Sequence, residues 1–153
     1  MKYHILKRET IINDNIENVF DFFSKAENLN LITPPVLGFK IITQLPIEMK
    51  LGTIIDYKIR LNGIPFNWKT EITKWEPPNR FEDTQIEGPY NTWIHEHFFE
   101  ESNGNTIMKD KVNYRSPGGI LEFIPHNLIV KKKVESIFNY REKKLKDIFP
   151  EKN

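Results

Sequence analysis

Residues 53–75 read TIIDYKIRLNGIPFNWKTEITKW, two alternating runs either side of Asn62-Gly63. The first run sets Ile55, Tyr57, Ile59 and Leu61 on one face against Asp56, Lys58 and Arg60 on the other. The second sets Phe66, Trp68, Thr70 and Ile72 against Asn67, Lys69 and Glu71. A period of two is that of a half-buried strand, because successive side chains leave opposite faces of a pleated backbone. Asn-Gly between two such runs suits the positive φ angles of a type I′ turn. The stretch therefore predicts an antiparallel hairpin with one apolar face. Strict alternation also places Trp75 with the odd-numbered residues of the other face.

Downstream, Glu76-Pro77-Pro78-Asn79 and Gly88-Pro89 read as turns bounding a strand over 80–87, and Ser102-Asn103-Gly104-Asn105 joins strands over 91–101 and 106–115 in a second hairpin. Upstream, 2–12 reads as a strand and 15–24 as a short amphipathic helix, with Ile16, Val19, Phe20 and Phe23 at helical spacing. Asp14 and Glu17 have the spacing of a capping box. A second short helix over 26–32 ends before Pro34-Pro35. From Val36 the period is again two, which predicts a strand closed by Pro46. After Ser116-Pro117-Gly118-Gly119, residues Val130, Val134, Ile137, Phe138, Leu145 and Ile148 share one helical stripe. They predict a long helix over about 126–149, with Pro125 near its first turn.

The order strand, two helices, six strands, long helix defines an α+β fold. About seven antiparallel strands form a curved sheet wrapped around the long C-terminal helix, the element long enough to cover its apolar face. At 153 residues the chain is expected to be one domain, 1–153. Its 21 Ile and single Ala (Ala26) favour a substantial sheet. With 22 Lys+Arg against 21 Asp+Glu it lacks the basic face that nucleic acid requires, so no nucleic-acid partner is expected. Zero cysteines exclude disulfides, thiolate metal sites and a Cys nucleophile. There is no serine elbow, phosphate loop or dinucleotide fingerprint, so hydrolase, kinase and dehydrogenase readings lack their machinery. Arg8 and Glu9 interrupt the N-terminal stretch where a signal peptide needs apolar residues, and a cytoplasmic location is expected. Lys131-Lys132-Lys133 reads as a solvated helix face, without stable membrane association.

A sheet gripping a helix leaves space wherever side chains fail to fill it, so function is sought on the inner face. That face is assigned Phe81, Asp83 and Gln85 on one strand, Trp93, His95, His97 and Phe99 on the next, and Met108, Asp110, Val112 and Tyr114 on the last. The expected ligand site has a polar group of Asp83, Gln85, His95, His97 and Asp110, within walls that include Tyr57, Ile59, Trp68, Trp93, Met108 and Tyr114. Buried polar groups need partners, whether each other, water or a ligand. His95-x-His97 has a strand spacing that chelates zinc or iron when a carboxylate approaches. Hydrogen bonds to Asp110, Gln85 or water satisfy the same residues, and no metal or cofactor is expected. His95, His97 and Asp110 are the candidates for acid-base work, with none committed to catalysis.

One resemblance spans nearly the whole chain. It is carried by Pro34-Pro35 with Leu37 and Phe39, by Gly52-Thr53-Ile54-Ile55-Asp56-Tyr57, by Trp75-Glu76-Pro77-Pro78, and by Gly88-Pro89-Tyr90 with Trp93-Ile94-His95-Glu96-His97-Phe98. Met108, Asp110, Val112, Tyr114 and the tail Ile137-Phe138-Asn139-Tyr140-Arg141 complete it. In these residues the chain resembles a bacterial branch of the START-like (SRPBCC) superfamily. The resemblance implies the helix-grip fold and a cavity for a small apolar or amphipathic molecule such as a lipid or polyketide. Some members are cofactor-independent cyclases or dehydratases. The branch also resembles a small domain fused to, or encoded beside, nucleotide-sugar epimerase-like proteins, which implies a possible partner of that kind.

Overall fold

The computed structural model describes residues 3–115 and 129–153. Strand β1 (His4–Ile12) is followed by helix α1 (Ile16–Phe23) and two 3-10 segments, Ala26–Ile32 and Pro35–Leu37. Then come β2 (Lys40–Ile41), β3 (Ile54–Leu61), β4 (Ile64–Glu76), β5 (Arg80–Glu87), β6 (Thr92–Ser102), β7 (Asn105–Arg115) and helix α2 (Val130–Ile148). The seven strands form one antiparallel sheet in the order β1-β7-β6-β5-β4-β3-β2. Each strand from β3 onward thus pairs with its predecessor in the chain, and β1 closes on β7.

The tight turns are where sequence chemistry predicts them. Asn62 and Gly63 have φ of 51° and 79°, and Asn103 and Gly104 have 52° and 79°. A Cβ at Gly63 would meet nothing within 4 Å, so only backbone strain opposes a side chain there. Gly63→Ala is accordingly expected to lower the unfolding free energy by about 1 kcal/mol, read from a urea transition, with no change in the cavity.

Three sequence expectations are corrected. Helix α1 is capped by Asn15, whose Oδ1 accepts from the Asn18 amide, and not by an Asp14/Glu17 box. Asp14 instead accepts from Asn15 N and Asn18 Nδ2. The strand expected from Val36 to Pro46 shrinks to Lys40–Ile41, because Pro34-Pro35 starts a 3-10 turn that ends on left-handed Gly38. Trp75 lies on the inner face, packed on Phe20 and Phe81. A bulge between Ile72 and Lys74 leaves Thr73 outside the strand register, its hydroxyl bonded to Glu82 and Thr84 of β5, and exchanges the faces beyond it. The predicted start of the long helix before Val130, with Pro125 and the Ser116–Gly119 turn, falls outside the described residues.

Helix α2, 19 residues and so about 28 Å long, lays Val134, Phe138 and Leu145 against the sheet. Arg8 of β1 donates to the Glu135 carbonyl at 3.5 Å and Asn13 donates to the Phe149 carbonyl at 3.3 Å. Lys133, half-buried, donates to Asn62 at 2.6 Å, while Lys131 and Lys132 are exposed. The helix is thereby fixed from the first hairpin turn to β1. Two apolar clusters fill the interior beneath it. One gathers Ile12, Val19, Phe20, Phe99, Met108 and Leu145 beside α1. The other gathers Ile59, Trp68, Trp93, Val112, Val134 and Phe138. No helix among the described residues is long and apolar enough to cross a membrane.

Candidate functional site

Between the sheet, α2 and the 3-10 segment after α1 lies a cavity of about 160 Å3. Its sheet wall includes Ile55, Tyr57 and Ile59 of β3, Trp68, Thr70 and Ile72 of β4, Phe81 and Asp83 of β5, and Trp93, His95 and His97 of β6. Ile137, Phe138 and Arg141 of α2 form the roof, and Phe22, Phe23 and Leu29 close one end. These side chains meet because β3 to β6 alternate with little interruption, so every second residue points inward.

The lining is mostly apolar, with Lys25, Asn28, Thr33, Thr70 and Arg141 as single polar positions and one cluster of titratable groups, Asp83, His95 and His97. His95 and His97 stand two apart on β6 with rings stacked at 3.7 Å between centroids, and Phe81 stacks on the other side of His97 at 4.0 Å. Phe138 meets His95 edge-on at 5.4 Å. This column of rings fixes both imidazole planes. On either side of it stands a carboxylate. Asp110 Oδ1 lies 2.7 Å from His95 Nε2 and 3.4 Å from His97 Nδ1. Asp83 Oδ2 lies 2.7 Å from His97 Nε2 and 3.9 Å from His95 Nδ1. The two carboxylates differ in access: the Asp110 side chain is 4% exposed and that of Asp83 20%. Asp83, His95 and His97 offer ligand atoms that all lie within 4.8 Å of one another, a set able to hold a metal ion.

Burial pushes the Asp83 carboxyl up, but the His97 hydrogen bond and the charges of the histidines and Arg141 outweigh it and hold it below the ordinary carboxylate value. Asp110 is held down in the same way, with His95 as its hydrogen-bond partner. Burial, then the neighbouring His95 charge, pushes His97 down to about 4 against the opposing pull of Asp83 and Asp110. The pair Asp83–His97 is therefore a carboxylate and a neutral imidazole at pH 7. Burial raises Tyr57 well above the ordinary phenol value, so its hydroxyl stays protonated in the wall.

Of the residues singled out from sequence, Tyr57, Ile59, Trp68, Asp83, Trp93, His95 and His97 line the cavity, and Gln85, Met108, Asp110 and Tyr114 do not. Gln85 is engaged by the β5–β6 turn: its Nε2 donates to the Tyr90 carbonyl and its Oε1 accepts from the Tyr90 amide. Met108 is fully buried in the cluster beside α1. Asp110 lies behind the histidines, and Tyr114 packs against Trp93, Tyr90 and His4. Sequence reasoning passed over Arg141, which lines the roof with its Nε buried and without a hydrogen-bond partner. A signal was available, since Arg141 interrupts the apolar stripe of Val134, Phe138 and Leu145 at helical spacing.

A seven-stranded antiparallel sheet gripping a C-terminal helix over a lined cavity places this protein in the START-like, helix-grip class. Residues 13–131 match the model of the family described as polyketide cyclase / dehydrase and lipid transport, and the chain belongs to that family. No curated protein matches it. Among solved structures, a Chromobacterium violaceum protein superposes with a TM-score of 0.73 at 11% identity, covering 97% of this chain and 99% of that one. The major latex-like protein 151 of Panax ginseng gives a TM-score of 0.65 at 9% identity, covering 97% and 98%. A Corynebacterium glutamicum protein titled a nucleoside-diphosphate sugar epimerase gives 0.68 at 22% identity, covering 92% of this chain but 28% of that one. Likeness at these identities is likeness of fold.

Proposed function

We propose that the protein binds a small, largely apolar molecule in the cavity, with the molecule's polar end against Asp83, His95 and His97. The observation that carries this reading is the lining: predominantly aromatic and aliphatic walls with a few polar positions and a convergent cluster of Asp83, His95 and His97, the usual composition of a small-molecule site. Family membership supports it. A space of about 160 Å3 is close to the cavity of about 150 Å3 that accommodates benzene in an engineered core. The occupant in this conformation is thus of one- or two-ring size.

Titration with 2-naphthol, an apolar body with one hydroxyl, tests the reading through the emission of Trp68 and Trp93. Saturable quenching at one equivalent is expected, with affinity at least tenfold weaker in Ile59→Trp, which fills the wall. No saturable quenching, or equal affinity in a folded Ile59→Trp variant, overturns it. A second reading, cofactor-independent cyclisation or dehydration, is favoured by the 2.7 Å Asp83–His97 contact on the cavity wall, a carboxylate-imidazole pair suited to moving a proton. Under that reading His97→Gln lowers turnover of a bound carbonyl compound far more than its binding. An epimerase-like partner, which the sequence resemblance implies, is tested by co-purification.

A further inference from the structure

We infer that Asp83, His95 and His97 form a binding site for one divalent first-row transition-metal ion, with Asp110 supporting it from behind. Sequence alone favoured hydrogen bonding without a metal, and the placement of the four ring nitrogens argues otherwise. Two of them face Asp110 Oδ1, His95 Nε2 at 2.7 Å and His97 Nδ1 at 3.4 Å. The other two face Asp83 Oδ2, His97 Nε2 at 2.7 Å and His95 Nδ1 at 3.9 Å.

A neutral imidazole carries one N–H. If His97 gives that proton to Asp83, its Nδ1 is left as a bare acceptor toward Asp110, and this atom is indeed buried without a hydrogen-bond partner. If His95 gives its proton to Asp110, its Nδ1 lone pair faces the Asp83 carboxylate. With one N–H on each ring, an acceptor is left facing an acceptor on either side of the column. A cation among Asp83 Oδ2, His95 Nδ1 and His97 Nε2 resolves both conflicts. The ring proton on His95 Nε2 then points to Asp110, and that on His97 Nδ1 lies on the same side, with its nitrogen 3.4 Å from the same oxygen. That is the arrangement in which a carboxylate orients metal-bound histidines through their outer nitrogens.

Bonds of about 2.0–2.2 Å set ligand atoms about 3–3.5 Å apart. Asp83 Oδ2 lies 2.7 and 3.9 Å from the two nitrogens and all three atoms lie within 4.8 Å of one another, so side-chain shifts are needed to bring them to that spacing. Two imidazoles and one carboxylate suit zinc, cobalt or ferrous iron and not calcium or magnesium. The three ligand residues line the cavity whereas Asp110 does not, so the open coordination positions face the bound molecule. Arg141 lends its charge to both carboxylates from the roof but makes no ion pair with either among the described residues, so it fills no ligand position.

Purification of the full chain in chelator, dialysis and titration with Co2+ tests the site directly. Without cysteine, the expected spectrum shows the d–d bands of a nitrogen- and oxygen-ligated ion and no thiolate charge transfer, saturating at one equivalent and abolished by one equivalent of Zn2+. Asp83→Asn and His97→Gln are expected to weaken binding about tenfold or more, and His4→Gln to leave it unchanged. A Co2+ spectrum that stays that of the hexaaquo ion overturns the inference, as does binding of equal strength in folded Asp83→Asn and His97→Gln. A measurement on the unaltered chain guards against misfolded variants. On Zn2+ addition the 15N ring resonances of His95 and His97 are expected to shift and those of His4 to stay; unmoved His95 and His97 resonances overturn the site. The 2-naphthol titration is run without metal, so either result stands apart from the other.

Discussion

Asp110→Ala is expected to lower the unfolding free energy by about 2–4 kcal/mol, the combined cost of a buried N–H left without its acceptor and of the void left by the side chain. Asp110 is 4% exposed, on the inner face of β7 between Met108 and Val112. Its carboxylate accepts from His95 at 2.7 Å. Truncation leaves the His95 N–H buried without a partner, which by itself costs about 1–3 kcal/mol, and opens a void that Val112 and Met108 are too tightly packed to close. Asp110→Asn keeps the shape and one acceptor oxygen, so its cost is expected to be about 1–2 kcal/mol. Asp83→Ala should cost less than Asp110→Ala, because the Asp83 side chain is 20% exposed and water in the cavity can replace it. Urea unfolding of the three variants at pH 7 gives the ordering. If Asp110→Ala falls within about 0.5 kcal/mol of the unaltered protein, the quartet is not the buried network described here.

The reason these residues carry such weight was only half visible in the sequence. Parity placed His95, His97, Asp110 and Asp83 on one face, since each strand from β3 to β7 alternates and each hairpin is announced by Asn-Gly or by Pro and Gly. Those signals are local. What parity does not contain is depth along the strand. Met108, Asp110 and Tyr114 share the face of His95 yet are roofed by packing or by the histidines themselves, whereas Asp83 and His97 meet open space. That distinction depends on where α2 and the 3-10 segments lie, a matter of tertiary packing. Parity also fails at bulges. Thr73, outside the register, carries Trp75 to the core, and no residue type in that stretch marks the slip. The short β2 is the opposite case, because Pro34-Pro35 and Gly38 were legible as breakers and were outweighed by the alternation that follows them.

Acidification from pH 7 to 4, in chelator so that no metal intervenes, is expected to remove about 3 kcal/mol of stability through His97 alone. Its imidazole is pushed down by burial, then by the His95 charge, from 6.5 to about 4 in the folded protein. Between those values the unfolded chain binds a proton that the folded chain refuses, so stability rises with pH at about 1.4 kcal/mol per unit over about 2.5 units. The contribution is fully present above about 6.5 and lost as pH falls through about 4. Asp83 and Asp110 act in a lower window. Both are held below their ordinary value of 3.8, so their stabilisation persists to that pH and disappears as it falls further. The loss therefore has two stages, a first of one proton and a steeper second of up to two more. Urea midpoints at pH 7, 5.5, 4 and 3 resolve the stages. His97→Gln removes the first and keeps the second if the glutamine amide still donates to Asp83. A first stage of unchanged slope in His97→Gln would assign the proton to another group, and greater stability at pH 4.5 than at 7 would mean that His97 is held charged. In that case His97 would sit as an imidazolium between two carboxylates, and neither of its nitrogens would be free for a metal without first releasing a proton.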